Sequence, residues 1–250
     1  MSSHDPRLAA LLEFIRCDYE AILVPNLVGI YIHGSIAFDC FEWTQSDVDI
    51  IVVVQEPISD DVARTLLAAT QSLNESAPPK GIEMSVVLHD HCRHFIYPTP
   101  YELHFSPMHR DSLCPHPRLC DPDLAAHFTV ILAVGYPLMG SPVTDVFDPV
   151  PHADYLDSIW LDVEHARTDI HNDPVYVVLN LCRVLAYLRD GLVLSKQGGG
   201  EWGLVHLPAH AELIRAALTQ YAGGEAMHRT SAACTAFADD LLCAIDLMRI

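Results

Sequence analysis

The first apolar positions of the chain, Leu8, Leu11, Leu12, Ile15 and Ile22, recur at helical spacing and predict an amphipathic helix from Pro6 to Leu23, with Pro25 barring its continuation. The period then changes. Leu27-Val28-Gly29-Ile30-Tyr31-Ile32 and the stretch from Asp47 to Val54 are short runs rich in β-branched residues, the pattern of strands buried on both faces. A helix is expected from about Asp60 to Leu73, ended by Pro78-Pro79, and a third strand from Ile82 to Leu88. Strands and helices alternate here around a small mixed sheet.

Beyond Pro149-Val150-Pro151 only helical patterns remain: about Tyr155–Thr168, Pro174–Asp190, Pro208–Ala222, and Gly224 to the C-terminus. Phe147-Asp148-Pro149-Val150-Pro151 reads as a linker, and Gly198 to Gly200 as a loop between helices. The expected class is α+β, with a sheet-containing domain over residues 1–150 and an α-helical bundle over 151–250.

Composition narrows the function. The 33 acidic against 14 basic residues give a formal net charge of −19, which repels polyphosphate backbones and attracts small polycations, so no nucleic-acid partner is expected. No uninterrupted apolar run approaches the roughly 18–20 residues of a membrane span, and the start of the chain lacks the basic and apolar regions of a signal peptide. A cytoplasmic protein with no membrane partner is expected. The oligomeric state has no sequence signal, and a monomer is the working assumption. Eight scattered cysteines without a C-x-x-C pair read as buried free thiols.

The chemistry concentrates between Tyr31 and Val53. A strand ends at His33, Gly34-Ser35 forms a tight turn into a short helix, and Asp47 and Asp49 stand at the start of the next strand. Residues two apart on a strand share a face, so the two carboxylates project together, a donor set suited to Mg²⁺ with waters and phosphate oxygens. Gly34 lets the backbone approach a phosphate, Ser35 offers a hydroxyl, and the following helix adds amide donors. Glu83, in the strand Ile82–Leu88, is a carboxylate among apolar neighbours. It suits either metal ligation or acceptance of a proton from an attacking hydroxyl. His89, His91, Cys92 and His94 crowd together but lack a matching second ligand cluster, and read as a surface loop. Gly140-Ser141 has no following Asp-x-Asp and reads as a turn.

Gly34-Ser35, Asp47-x-Asp49 and Glu83 resemble the signature of the polymerase-β-like nucleotidyltransferases. The order of surrounding residues is similar to that of the aminoglycoside (3'')(9) adenylyltransferases, which modify streptomycin and spectinomycin. The likeness continues through Tyr97-Pro98, Glu102-Leu103, Phe147–Pro151, Val177-Val178-Leu179-x-Leu181-x-Arg183, Gly191 and Lys196.

That resemblance implies a nucleotidyltransferase domain followed by a helical substrate-binding domain, with ATP and Mg²⁺ as cofactors and a small cationic antibiotic as substrate. It assigns metal binding to Asp47 and Asp49, base catalysis and substrate contact to Glu83, and nucleotide contacts to Gly34, Ser35, Asp123, Arg183 and Lys196. Asp173 and Asp169 correspond to drug-binding acids. Two departures concern the drug: Glu164 and Met108 stand where relatives carry tryptophan, and the nearest tryptophan to the first is Trp160. Spectinomycin is therefore expected ahead of streptomycin. The competing readings are nucleotidylation of a protein or a lincosamide-like drug, and a non-catalytic, antitoxin-like binding module on the same fold.

Overall fold

The computed structural model describes residues 5–107, 119–227 and 231–249. Two compact units divide the chain, Met1–Tyr155 and Leu156–Ile250.

The first unit opens with α1 (Pro6–Leu23), where Asp5 caps the helix by accepting from the Arg7 amide and Pro6 takes a first-turn position that needs no donor. Its apolar stripe buries Leu8, Leu11, Ile15, Tyr19 and Leu23. There follow β1 (Leu27–Ile32), the one-turn α2 (Gly34–Ala37), β2 (Val48–Val54), α3 (Asp60–Asn74), β3 (Ile82–Leu88) and the short α4 (His89–Arg93). The rest of the unit comprises β4 (Thr99–Tyr101), β5 (Leu103–Phe105), β6 (Leu119–Asp121), α5 (Leu124–Val134), β7 (Tyr136–Gly140) and α6 (Val143–Val146). The helix α7 (His152–Leu161) runs across the division between the units.

A five-stranded mixed sheet has the order β5-β3-β2-β1-β7, and β4 and β6 form a separate pair. β2 and β3 run parallel; their other neighbours in the large sheet are antiparallel. Alternation distributes the central side chains to two cores. Ile30, Ile32, Ile50, Val52, Met84 and Val86 pack with α1 and α3. Tyr31, Ile51, Val53 and Val87 pack with Leu124, Phe128 and Ile131 of α5. Burial on both faces explains the unbroken apolar runs of these strands.

The stretch read as a linker belongs to that second core. Phe147 is buried and edge-on to Tyr31 at 4.9 Å and to Phe128 at 5.0 Å. The Asp148 amide donates to the Cys92 carbonyl at 2.8 Å, and its carboxylate pairs with Arg93 at 3.1 Å. The histidine-rich segment is α4 rather than a loop, with Cys92 fully buried. Among the described cysteines all are free, but Cys17, Cys120 and Cys243 are exposed, so burial holds only for part of the set. Cys114 lies outside the described residues.

The second unit is helical: α8 (Ala166–Asp169), α9 (Pro174–Asp190), α10 (Lys196–His206), a 3-10 turn at Pro208–His210, α11 (Ala211–Tyr221) and α12 (Ser231–Met248). α9 is its apolar centre, burying Val177, Val178, Leu179, Leu181, Cys182, Val184 and Leu185, and it ends on Gly191 in the left-handed conformation, φ 68°. The glycines read as a loop are helical. A side chain on Gly199 would meet Arg183 Cγ and the Leu179 carbonyl, one on Gly200 would meet Leu179 and Leu218, and one on Gly203 would meet Cys182. These glycines let α10 lie close against α9, a tertiary gain that outweighs their poor helix propensity. The helix expected over Tyr155–Thr168 is broken between Leu161 and Ala166, and the break puts Val163, Ala166 and Ile170 in the interior. The last helix starts at Ser231 rather than Gly224.

Candidate active site

β1 runs into His33, which is buried, and then into Gly34 with φ 59°. The His33 amide donates to the Asp49 carbonyl at 3.2 Å, tying the turn to β2. A methyl group on Gly34 would overlap the Asp49 carboxylate, so glycine is required for both conformation and space. Ser35 follows in α2, its hydroxyl oxygen buried and without a hydrogen-bond partner. α2 is a single turn starting at Gly34, so its contribution is local amide groups rather than a long helix dipole.

Asp47 and Asp49 flank the fully buried Val48, and Asp49 stands opposite Glu83 in the parallel β2–β3 ladder. Asp47, Asp49 and Glu83, all partly exposed, each bring an oxygen within 4.8 Å of the others. Oxygens around one hard cation, at roughly 2.0–2.6 Å from it, fall at about that spacing, and three carboxylates together repel unless a cation offsets them. The donor set fits Mg²⁺. Among the described residues this is the one group of three with metal-binding geometry, and the α4 histidines form none. Burial raises the Glu83 carboxyl above its ordinary range; His127 opposes that, while Asp123, Asp47 and Asp121 add to it.

α5 supplies the flank of the site. The Asp121 carboxylate accepts from the Asp123 amide at 2.9 Å. Asp123 makes no side-chain cap to its own helix, and its Oδ2 lies 3.0 Å from His127 Nε2. The His127 ring packs on His33 with centroids 4.7 Å apart. Burial would strip the proton from His127, but Asp123 and then Glu83 and Asp49 outweigh it and raise its pKa to about 10. His33 moves the other way, well below its ordinary value, through burial and then repulsion from His127, which Asp123 only partly opposes. One imidazole is charged and its neighbour neutral. His127 was missed in the sequence, where the available signal was its place four residues after Asp123 on an apolar helix.

The remaining expected residues lie in the second unit. Asp173 caps α9, accepting from the Tyr176 amide at 3.2 Å, and the Tyr176 hydroxyl donates to Asp162 at 3.2 Å. Lys196 is not in a loop but opens α10, with its ammonium 5.2 Å from the centre of the Tyr176 ring. Arg183 donates from Nε to the Leu194 carbonyl at 2.9 Å and from Nη1 to Asn180 at 2.8 Å. Asp169 is exposed at the end of α8, Glu164 is exposed beside His165, and Trp160 lies under the Arg249 guanidinium at 3.9 Å. Met108 is outside the described residues.

Residues 145–243 match the family described as aminoglycoside adenylyltransferase, C-terminal domain. An aminoglycoside (3'')(9) adenylyltransferase of Klebsiella pneumoniae is 29% identical over 216 residues, covering 82% of both chains. The chain is thus similar over most of its length to aminoglycoside adenylyltransferases. A spectinomycin 9-adenylyltransferase of Enterococcus faecalis is 22% identical over 208 residues, 79% of this chain and 81% of that one. The fold is that of the Enterococcus spectinomycin adenyltransferase AAD(9), solved with ATP and spectinomycin: TM-score 0.79 at 19% identity, covering 95% of this chain and 99% of that one. Among the described residues no helix is long and apolar enough to cross a membrane.

Proposed function

We propose that this protein transfers AMP from ATP to a hydroxyl of an aminoglycoside-type antibiotic and so confers resistance to it. The observation that carries this reading is the convergence of Asp47, Asp49 and Glu83 beside the Gly34-Ser35 turn, in a chain similar over most of its length to adenylyltransferases.

Asp47 and Asp49 would hold Mg²⁺, which supplies charge neutralisation for the triphosphate when bound. Gly34 leaves room for the Asp49 carboxylate against the turn, and the Ser35 hydroxyl donates to phosphate oxygens. Glu83 accepts the proton of the attacking hydroxyl, a role its raised pKa favours because a base matched to ambient pH transfers protons efficiently. The drug oxygen bonds to the α-phosphorus, the bond from that phosphorus to the bridging oxygen breaks, and pyrophosphate leaves. Asp123, Arg183 and Lys196 are assigned to the nucleotide, and Asp169 and Asp173 to the drug, on the family resemblance.

Spectinomycin is proposed as the better substrate, because Asp173 is in place whereas Glu164 stands where streptomycin-modifying relatives have tryptophan. The net charge of −19 draws a cationic drug toward the protein, an attraction that salt weakens. Pyrophosphate release from ATP with spectinomycin, streptomycin, kanamycin and lincomycin in turn tests the reading. Release with spectinomycin is expected; release with lincomycin alone, or with none of the four, overturns it.

A further inference from the structure

One buried cationic group beside the site has no part in the mechanism above. His127 Nε2 is held by Asp123 at 3.0 Å, and its ring packs on His33, the residue that leads into Gly34 and Ser35. The opposite ring nitrogen, Nδ1, is buried and has no hydrogen-bond partner. The buried Ser35 hydroxyl, two residues past His33, has none either. Buried polar atoms in folded proteins are nearly always paired, so two such atoms on neighbouring elements point to a ligand. The Asp123 carboxylate, 3.0 Å from Nε2, favours the doubly protonated ring, in which Nδ1 is a donor. A hydroxyl and an imidazolium N–H on two elements in contact suit an oxyanion with several oxygens.

Taking the site as a nucleotide site, we infer that His127 is a further nucleotide-binding residue, its Nδ1–H donating to the β- and γ-phosphate oxygens that Ser35 also holds. Asp123 is then a positioning residue: it acts on the nucleotide through His127, fixing the ring and its charge. The logic is one of balance. A triphosphate approaching three carboxylates needs positive donors, and His127 is a cation that the sheet unit buries near them.

The experiment is calorimetric titration of the wild type, His127→Phe and His127→Gln with a non-hydrolysable ATP analogue, inorganic pyrophosphate and AMP, in the presence of Mg²⁺. Phenylalanine preserves the packing on His33 without the donor, and glutamine serves if phenylalanine does not fold, as thermal unfolding reports. Affinity for the ATP analogue and for pyrophosphate should fall about ten- to a hundredfold, the range for a hydrogen bond to a charged group, while AMP affinity is unchanged. In a Ser35→Ala background the loss should be less than additive, because the two donors share one ligand. Unchanged pyrophosphate affinity, or an equal loss for AMP and pyrophosphate, makes His127 a structural strut and overturns the inference. A wild type that binds neither the ATP analogue nor pyrophosphate overturns the nucleotide reading itself, and this inference with it.

Discussion

In the sheet unit Asp47, Asp49 and Glu83 bring like charges within 4.8 Å of one another, whereas in the helical unit charges meet complements. There Arg167 pairs with Asp239 at 2.7 Å, Asp190 accepts from the Trp202 indole at 2.7 Å, Arg183 is held by Asn180 and Leu194, and Asp173 caps its own helix. The glycines differ in the same sense. Gly34 has a left-handed φ and makes room for a carboxylate; Gly199, Gly200 and Gly203 are helical and make room for a neighbouring helix. Gathered like charge is destabilising and persists where a ligand offsets it; complementary pairing serves the fold. A substitution in the first region should therefore affect activity far more than stability, and one in the second the reverse wherever the residue only packs or pairs.

The hardest test of that contrast is Asp47→Asn. Turnover should fall by at least about a thousandfold with the loss of a metal carboxylate, while the melting temperature of the metal-free protein stays level or rises by a few degrees as repulsion is relieved. A large loss of stability would mean that the acids hold the fold together.

Glu83→Gln should slow turnover about a hundredfold with ATP binding retained, measured by single-turnover kinetics. Its pH signature is separate. With the folded-state pKa raised, the folded metal-free protein binds a proton at Glu83 that the unfolded chain has already lost, so stability falls as pH rises from the ordinary glutamate range through the raised value. Denaturant titrations across that window should show a flatter profile in the glutamine variant.

Asp173→Asn separates capping from recognition, because asparagine caps as well as aspartate. Helix stability should be unchanged within about half a kcal/mol, and spectinomycin affinity should weaken about tenfold with the loss of a charged partner. Unchanged affinity would confine Asp173 to its cap.

The smallest effect is expected from Gly199→Ala. Alanine gains about 1 kcal/mol of helix propensity, but its methyl would sit 2.5 Å from Arg183 Cγ, 3.1 Å from the Arg183 amide and 3.2 Å from the Leu179 carbonyl, the last two backbone atoms that cannot retreat. Overpacking typically costs about 1–3 kcal/mol, so a net destabilisation of about 1 kcal/mol is expected in urea unfolding.

Local signals carried much of this molecule. The bounds of α1, β1, β3 and α9 coincide with the sequence reading, since a proline-led cap, an uninterrupted β-branched run or a heptad-like apolar stripe is decided within the segment itself. The Asp47, Asp49 and Glu83 cluster was legible for a similar reason: strand alternation and adjacency in a sheet turn sequence spacing into spatial proximity. Gly198 to Gly200 were misread because a glycine run looks the same whether it frees a loop or lets two helices touch, and only the surfaces of Leu179, Arg183 and Leu218 distinguish them. The fate of Phe147 likewise depended on Tyr31 and Phe128, which are far from it in sequence. His127 is the sharpest case. Its partner Asp123 is a local neighbour, but its place beside Glu83 and against His33 arises only when α5 packs on the sheet, and that packing decides its charge, because burial and surrounding carboxylates act through space and not along the chain.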